Sequence, residues 1–407
     1  MSTVTLSPDQ QKACDMAMAF LIDPVETEMV IEGHSGTGKT FLTQHIISEA
    51  DKQSQLMKLI GFGGEVAVHY TATTNKAAVV LSDVVGYEAT TIHSLLGLRV
   101  MNNFSNGSTS LKATGKGQKP ENALIIVDEA SMVNQELLDT IREETATTCK
   151  VLYIGDPYQL PPVGEATCPV FNQVALKARL TTIQRNPGPI AELGAKFREA
   201  VSTGVFPSIE ATPCGAVTIV DGPEFQAMVN TEFANTVDCN HARILAWTNG
   251  TVHEYNEYVR SLHTSSMQFE IGETVVTNKP ILEKRNTAYS TDSTALVTKV
   301  GSTVVEKGIP GYWVELDRNI EVFQPQDQWR VKALTKKLSR AKSWTEYFAA
   351  QEFFADLRAI HSSTAHKCQG ATFDIVFIDL NDIGQCRDAN LVARILYVVS
   401  TRPRTKV

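Results

Sequence analysis

Gly33-His34-Ser35-Gly36-Thr37-Gly38-Lys39-Thr40 follows the apolar run Met29-Val30-Ile31 and precedes Phe41-Leu42-Thr43-Gln44-His45-Ile46-Ile47. The apolar residues of the second flank recur at helical spacing, so the order is strand, glycine-rich turn, helix start. The turn carries GxxxxGK[ST]. Gly33, Gly36 and Gly38 let backbone N–H groups curl around phosphate oxygens with no Cβ in the way, and Thr37 lies inside that curl. The helix N-terminus adds partial positive charge at the same point. Lys39 is placed to reach the β- and γ-phosphates, and the Thr40 hydroxyl to hold Mg²⁺. The pattern predicts an α/β nucleotide-binding fold and leaves open what the nucleotide is used for.

The 407 residues suffice for two to four domains, with 43% apolar and 20% charged residues, as in ordinary globular chains. No stretch is apolar for long enough to span a bilayer, and no secretory signal is apparent at the N-terminus. The seven scattered cysteines form no CxxC pair, which argues against a zinc site or disulfide frame and suits a reducing, cytosolic setting. A net charge of −8 argues against coating nucleic acid through bulk charge, so any nucleic-acid contact should be local.

Ahead of the glycine turn, Ser7-Pro8-Asp9-Gln10 opens a helix with a capping-box pattern. Gln10 either caps that helix or pairs with the edge of an adenine. Glu65 to Thr71 reads as a strand running into Thr74-Asn75-Lys76, which could face a phosphate backbone or simply cap the next helix. Thr91 and His93 lie in Thr90-Thr91-Ile92-His93-Ser94. Residues 102–122 turn to Asn, Ser, Gly, Thr and Lys, an insertion that is either a β-hairpin or a mobile loop around Phe104 to Lys119.

Leu124-Ile125-Ile126-Val127-Asp128-Glu129 reads as a buried parallel strand ending in two carboxylates. Asp128 is suited to holding Mg²⁺ through its water shell, and Glu129 to orienting and deprotonating a water. In Val151 to Val163 a further buried strand leads to Tyr158, expected to pack rather than stack, and to Gln159, a γ-phosphate sensor if it lies beside the nucleotide. Arg185 has no local feature that lifts it above surface charge.

A second α/β unit follows, with strands expected at Ala216–Val220 and 243–247 and a helix from Val252. Short alternating strands punctuated by glycines from about 269 to 329 predict a small β-rich insert. Residues 339–359 read as one helix with an aromatic face (Trp344, Phe348, Phe353, Phe354). The α/β pattern resumes at Ser363-Thr364-Ala365-His366-Lys367-Cys368-Gln369-Gly370, then a strand at 374–380, then a helix over 391–402 ending in Arg402.

With GDPYQLPPV, TIHSLL, STAHKCQG and YVVSTR in this order, the chain resembles the RecD-like group of superfamily 1 helicases from Leu6 to Arg402. The resemblance implies two RecA-like P-loop domains with parallel sheets: 1–97 with 122–187, and 188–268 with 336–407. A pin insertion (98–121) and a β-rich, SH3-like insertion (269–335) complete the division. It implies ATP and Mg²⁺ in the cleft and 5′-to-3′ movement on single-stranded DNA crossing both domains. Gln10 then matches the adenine reader, Lys39 and Thr40 the Walker A pair, Asp128 and Glu129 the Walker B pair, and Gln159 the sensor. Arg185 and Arg402 match the arginines that close on the γ-phosphate. Thr74, Asn75, Thr91 and His93 match DNA-facing positions of the first domain, and Thr364, His366 and Lys367 those of the second. Gln369 and Gly370 link the DNA to the nucleotide. Little chain remains after Arg402 for the family's final strand, and Thr73 stands where the family often has proline.

The resemblance thus implies an ATP hydrolase that unwinds forked DNA as a monomer in the cytoplasm (a host's, if phage-encoded). A single-stranded DNA-binding protein or other replication proteins are candidate partners, and no membrane is involved. The rivals are a single-strand translocase that strips proteins without unwinding, an RNA helicase of the same superfamily, and a nucleotide-gated protein-binding module.

Overall fold

The computed structural model describes residues 6–59, 67–113, 119–184, 188–234, 241–283 and 286–407. Its first half is built on a parallel sheet in the order Ala89–Thr91, Ala67–Ala72, Ala123–Asp128, Lys150–Gly155, Glu28–Gly33, Leu176–Leu180. The strands Glu28–Gly33, Ala123–Asp128 and Lys150–Gly155 are almost wholly buried because helices cover both faces. Successive side chains alternate between two cores. Val30, Ile125, Val127, Val151 and Tyr153 enter one, while Met29, Ile31, Leu124, Ile126, Leu152 and Ile154 enter the other. Because all these strands run the same way, Gly33, Asp128 and Gly155 share one edge of the sheet. That edge is where the glycine turn, the two carboxylates and the 156–163 segment meet.

The second half holds a smaller parallel sheet, Ser362–Thr364, Ala242–Ala246, Phe373–Ile378, Pro403–Lys406. The chain after Arg402 does form a final strand, contrary to expectation: Pro403–Lys406 pairs in parallel with Phe373–Ile378. Ala216–Val220, by contrast, is not a strand. Thr212 takes both backbone groups of Val217, its N–H donating to the Val217 carbonyl (2.8 Å) and its hydroxyl accepting from the Val217 N–H (2.9 Å). This local turn competes with a ladder, and pairing is reduced to two bonds between Ala216, Thr218 and Val407.

Between these strands stands an antiparallel β-rich unit of Thr274–Thr277, Thr294–Val300, Val304–Glu306, Ile309–Leu316 and Ile320–Pro325. The single helix expected over 339–359 is instead three pieces. One helix, Gln328–Arg340, ends before Lys342, whose φ is 56°. A second, Trp344–Phe353, follows. Leu357–Ala359 is then a strand on the edge of Thr274–Thr277. Val331, Ala350 and Phe354 pack with Ile309 and Phe323 of the β-rich unit. The packed unit therefore runs through Ala359, past the boundary expected at 335. The aromatic face is core, as expected, at Phe348 and Phe354.

The polar insertion is a hairpin, Leu98–Asn102 against Thr109–Ala113; residues 114–118 lie outside the described residues. Its tip rests on the helix Trp344–Phe353. Gly107 (φ 75°) lies so close to the Trp344 indole that a Cβ there would stand 2.2 Å from a ring carbon, and Phe104 meets Phe348 edge to face at 5.2 Å. Among the described residues no helix is long and apolar enough to cross a membrane.

Candidate nucleotide and nucleic-acid site

The glycine turn closes on itself. Gly36 and Gly38 have φ of 84° and 75°, conformations that L side chains rarely adopt. The Thr37 hydroxyl donates to the His34 carbonyl at 2.8 Å, and Lys39 Nζ donates to the carbonyls of Gly33 (2.7 Å) and His34 (3.3 Å). Gln10 caps its helix and also braces the turn. Its Oε1 accepts from the Ser7 N–H at 3.0 Å, completing the capping box. Its Nε2 donates to the Thr37 carbonyl at 3.1 Å and stands where a Cβ on Gly38 would be. Asp9 ties the same helix start to the far strand by accepting from the N–H groups of Thr181 (2.7 Å) and Thr182 (2.8 Å). Burial would raise its pKa, but the Ser7 hydroxyl and these two amides outweigh that and hold it well below the usual carboxylate range.

A cavity of about 490 Å³ opens above the turn. Ser35, Gly36, Gly38, Lys39 and Thr40 line one side, Asp128, Glu129 and Gln159 the floor, and Gly370, Thr372, Thr401 and Arg402 the side from the second half. Gly33 and Thr37 shape the turn from behind, Gln10 buttresses it, and Gln369 stands one step back. Gln369 Nε2 donates to Gln159 Oε1 (3.3 Å) and to the Leu160 carbonyl (3.4 Å). Arg402 is 6% exposed. Its guanidinium is aimed by the Val398 and Ala371 carbonyls and the Thr401 hydroxyl. Arg185 lies outside the described residues.

Asp128 is pushed up to about 6, first by burial and then by the neighbouring Glu129 carboxylate; the Glu129 N–H and Lys39 act in the opposite direction. Glu129 has a left-handed backbone (φ 52°), and its Oε2 is buried with no hydrogen-bond partner. A half-buried acid whose pKa is raised, beside a carboxylate oxygen with no partner, is a donor set that suits a divalent cation. The carboxylates and Thr40 therefore fit Mg²⁺.

Two residues the motif reading passed over tie the halves together. Tyr397 donates its hydroxyl to Asp156 Oδ2 at 2.6 Å and accepts from the Ser35 N–H at 2.9 Å. Arg394 Nη1 donates to the carbonyls of Pro157 and Gln159, both at 2.7 Å. The available signal was Arg394 and Tyr397 three apart, on one face of the mostly apolar helix Ala389–Ser400. Tyr158 packs edge to face on Tyr397, 6.5 Å between centroids, as expected.

The expected nucleic-acid contacts gather at the same strand-end edge of the two sheets. Thr74 and Thr91 cap helices, their hydroxyls accepting from Ala77 (3.2 Å) and Ser94 (3.1 Å). The capping reading is thus met as well, and Asn75 is exposed beside it. Burial lowers the pKa of the half-buried His93 and His366, favouring their neutral forms. Thr364 accepts weakly from the Lys367 N–H at 3.4 Å. The Lys367 ammonium is held by Asn278 Oδ1 and Asp292 Oδ1, both at 2.6 Å, in the β-rich unit.

Residues 5–204 match the AAA domain family. The chain is 26% identical to the ATP-dependent DNA helicase dda of Enterobacteria phage T4, over 99% of this chain and 98% of that one. It is also 32% identical to the ATP-dependent RecD2 DNA helicase of Deinococcus radiodurans, over 43% of this chain and 22% of that protein. Among solved structures, the Pif1 helicase of Candida albicans aligns over 99% of this chain and 95% of its own, with a TM-score of 0.45 and 14% identity. Tyr397 and Arg394 thus link the two halves across the cavity.

Proposed function

We propose that the chain is an ATP-dependent DNA helicase that moves 5′-to-3′ on single-stranded DNA and splits the duplex it meets. The carrying observation is that one cavity collects Lys39, Glu129 and Gln159 from the first half and Arg402 from the second. In this reading the glycine turn binds the phosphates, and Lys39 leaves the Gly33 and His34 carbonyls for the β- and γ-oxygens. Thr40 and Asp128 would hold Mg²⁺, which would supply charge neutralisation to the phosphates. Glu129, whose Oε2 has no other partner, orients the attacking water and takes its proton. Gln159 bonds the γ-phosphate and passes its position to Gln369, on the strand-end loop that carries Lys367. Arg402 stabilises charge on the transferring phosphoryl group, and Arg185 is proposed as the second arginine. Gln10 reads the adenine edge.

Closure around ATP and reopening after hydrolysis alternate the grip of Thr74, Asn75, Thr91 and His93 with that of Thr364, His366 and Lys367. The hairpin 98–113 serves as the pin, and the β-rich unit as the SH3-like insertion that braces it. The chain acts as a monomer in the cytoplasm, with a single-stranded DNA-binding protein as a candidate partner. Strand separation measured on forked DNA with a 5′ or a 3′ tail tests the reading. Unwinding only from the 5′ tail is expected. ATP turnover without strand separation on either substrate would favour a translocase, and stronger activation by RNA than DNA an RNA helicase.

A further inference from the structure

The helix Gln328–Arg340 carries five cations, Arg330, Lys332, Lys336, Lys337 and Arg340, and no carboxylate, in a chain of net charge −8. At 100° per residue they occupy the half opposite Val331, Leu334 and Leu338, which pack against the β-rich unit. All five are exposed, as is Trp329 on the same side at 63%, with the Arg330 guanidinium 5.1 Å from its ring centre. A merely solvated helix face normally mixes signs, because like charges one turn apart repel. The helix dipole accounts for Lys337 and Arg340 in the last turn, and Asp327 pairs with Arg330 at 3.1 Å. Neither accounts for Lys332 and Lys336.

The position of this face is the second observation. The helix packs on Trp344–Phe353, the element whose Trp344 and Phe348 receive the hairpin tip at Gly107 and Phe104. On the hairpin itself Arg99 stands directly opposite Lys112. We propose that the exposed face of Gln328–Arg340 binds the phosphate backbone of the duplex arm of a forked DNA, beside the hairpin that divides it. The proposal rests on the helicase reading above. Single strand is assigned to the strand-end edge at Thr74, Thr91 and Thr364, so the nucleic acid arriving at the hairpin tip is still paired. Lysines are compact point charges that contact phosphate without reading bases, as a moving enzyme requires. An acidic peptide is the competing occupant.

The test compares the full chain with its K332E/K336E/K337E and K332Q/K336Q/K337Q variants. Binding is measured without ATP, on a forked DNA and on its single-stranded tail alone, across a salt series. The reversal variant should lose roughly tenfold or more in fork affinity and keep tail affinity, with a salt slope on the fork shallower by about 0.9 per lost phosphate contact. The glutamine variant should fall between. Fork affinity unchanged, or fork and tail affinities falling together, overturns the proposal. So does loss of binding to polyglutamate with fork binding intact, which assigns the face to an acidic peptide. A wild-type ATPase indifferent to DNA would sink the helicase reading, whereas the fork-versus-tail comparison decides the face by binding alone.

Discussion

The ammonium of Lys367 lies 2.6 Å from the carboxylate of Asp292, a residue 75 positions earlier in the chain and part of a different folding unit. Asp292 is preset for this contact: its backbone is left-handed (φ 61°), and its N–H donates to the Thr277 carbonyl at 2.7 Å. Both side chains are partly exposed, so the pair itself adds little stability. A DNA phosphate and Asp292 compete for one cation. Asp292→Asn should therefore raise affinity for single-stranded DNA several-fold. Lys367→Ala should lower it and flatten the salt slope by about 0.7. Anisotropy titrations over salt check both; weaker binding by Asp292→Asn would mean that the pair only positions the lysine.

Tyr397→Phe removes a hydroxyl that serves both the Ser35 N–H and Asp156. Leaving the buried Asp156 carboxylate and the half-buried Ser35 N–H short of a partner should cost about 1–3 kcal/mol of stability. The DNA-stimulated kcat should fall more than KM for ATP changes, because the link across the cleft is lost while the phosphate cradle stays. Steady-state kinetics beside thermal unfolding separate the two effects.

Lys39→Ala should abolish ATP turnover. Arg402→Ala should slow hydrolysis by roughly a thousandfold or more while sparing nucleotide binding, since its charge matters chiefly in the transition state. Turnover is read by phosphate release and binding by a fluorescent nucleotide; an unchanged rate in either variant removes that residue from the role.

Gly107→Ala drives a Cβ into the Trp344 ring at a backbone angle that alanine resists. Undocking the hairpin tip should slow strand separation several-fold and leave single-strand-stimulated ATPase near wild type. Equal loss of both activities would show that the tip serves the fold rather than the fork.

Burial pushes His361 down to about 4, with Arg243 nearby adding to the effect. Its ring stands edge to face on Phe233 at 5.8 Å. The folded state favours the neutral form, so the unfolded chain binds a proton first. The stability His361 confers is complete above its unfolded pKa of about 6.5 and is lost as pH falls from there toward 4. Urea unfolding over that window should be less steep in pH for His361→Phe.

The Walker turn and the acid-ended strand were legible because each is local: strand, turn and helix start lie within a dozen residues or so, and periodicity carries them. The hairpin was legible as an insertion but not as a brace, since nothing in 98–113 announces Trp344 as its seat. The reading of 339–359 as one helix failed where Lys342 takes a left-handed turn and Leu357–Ala359 finds a strand edge that only the β-rich unit supplies. Tyr397 and Arg394 escaped because a mostly apolar helix hides the value of these polar side chains until their partners, Asp156 and the 157–159 backbone, are in place.

What the sequence by itself determined is the chemistry that neighbours in the chain complete: a phosphate cradle, two carboxylates at the end of a buried strand, and the motif order that resembles one helicase group. Tertiary structure alone decided which distant groups face that chemistry. Arg402 and Tyr397 on one side of the cleft, and Asp292 against Lys367, are hundreds or tens of residues from their partners. Hydrogen bonds and charge pairs act over a few ångströms, so such contacts exist only once the two parallel sheets and the β-rich unit have packed together.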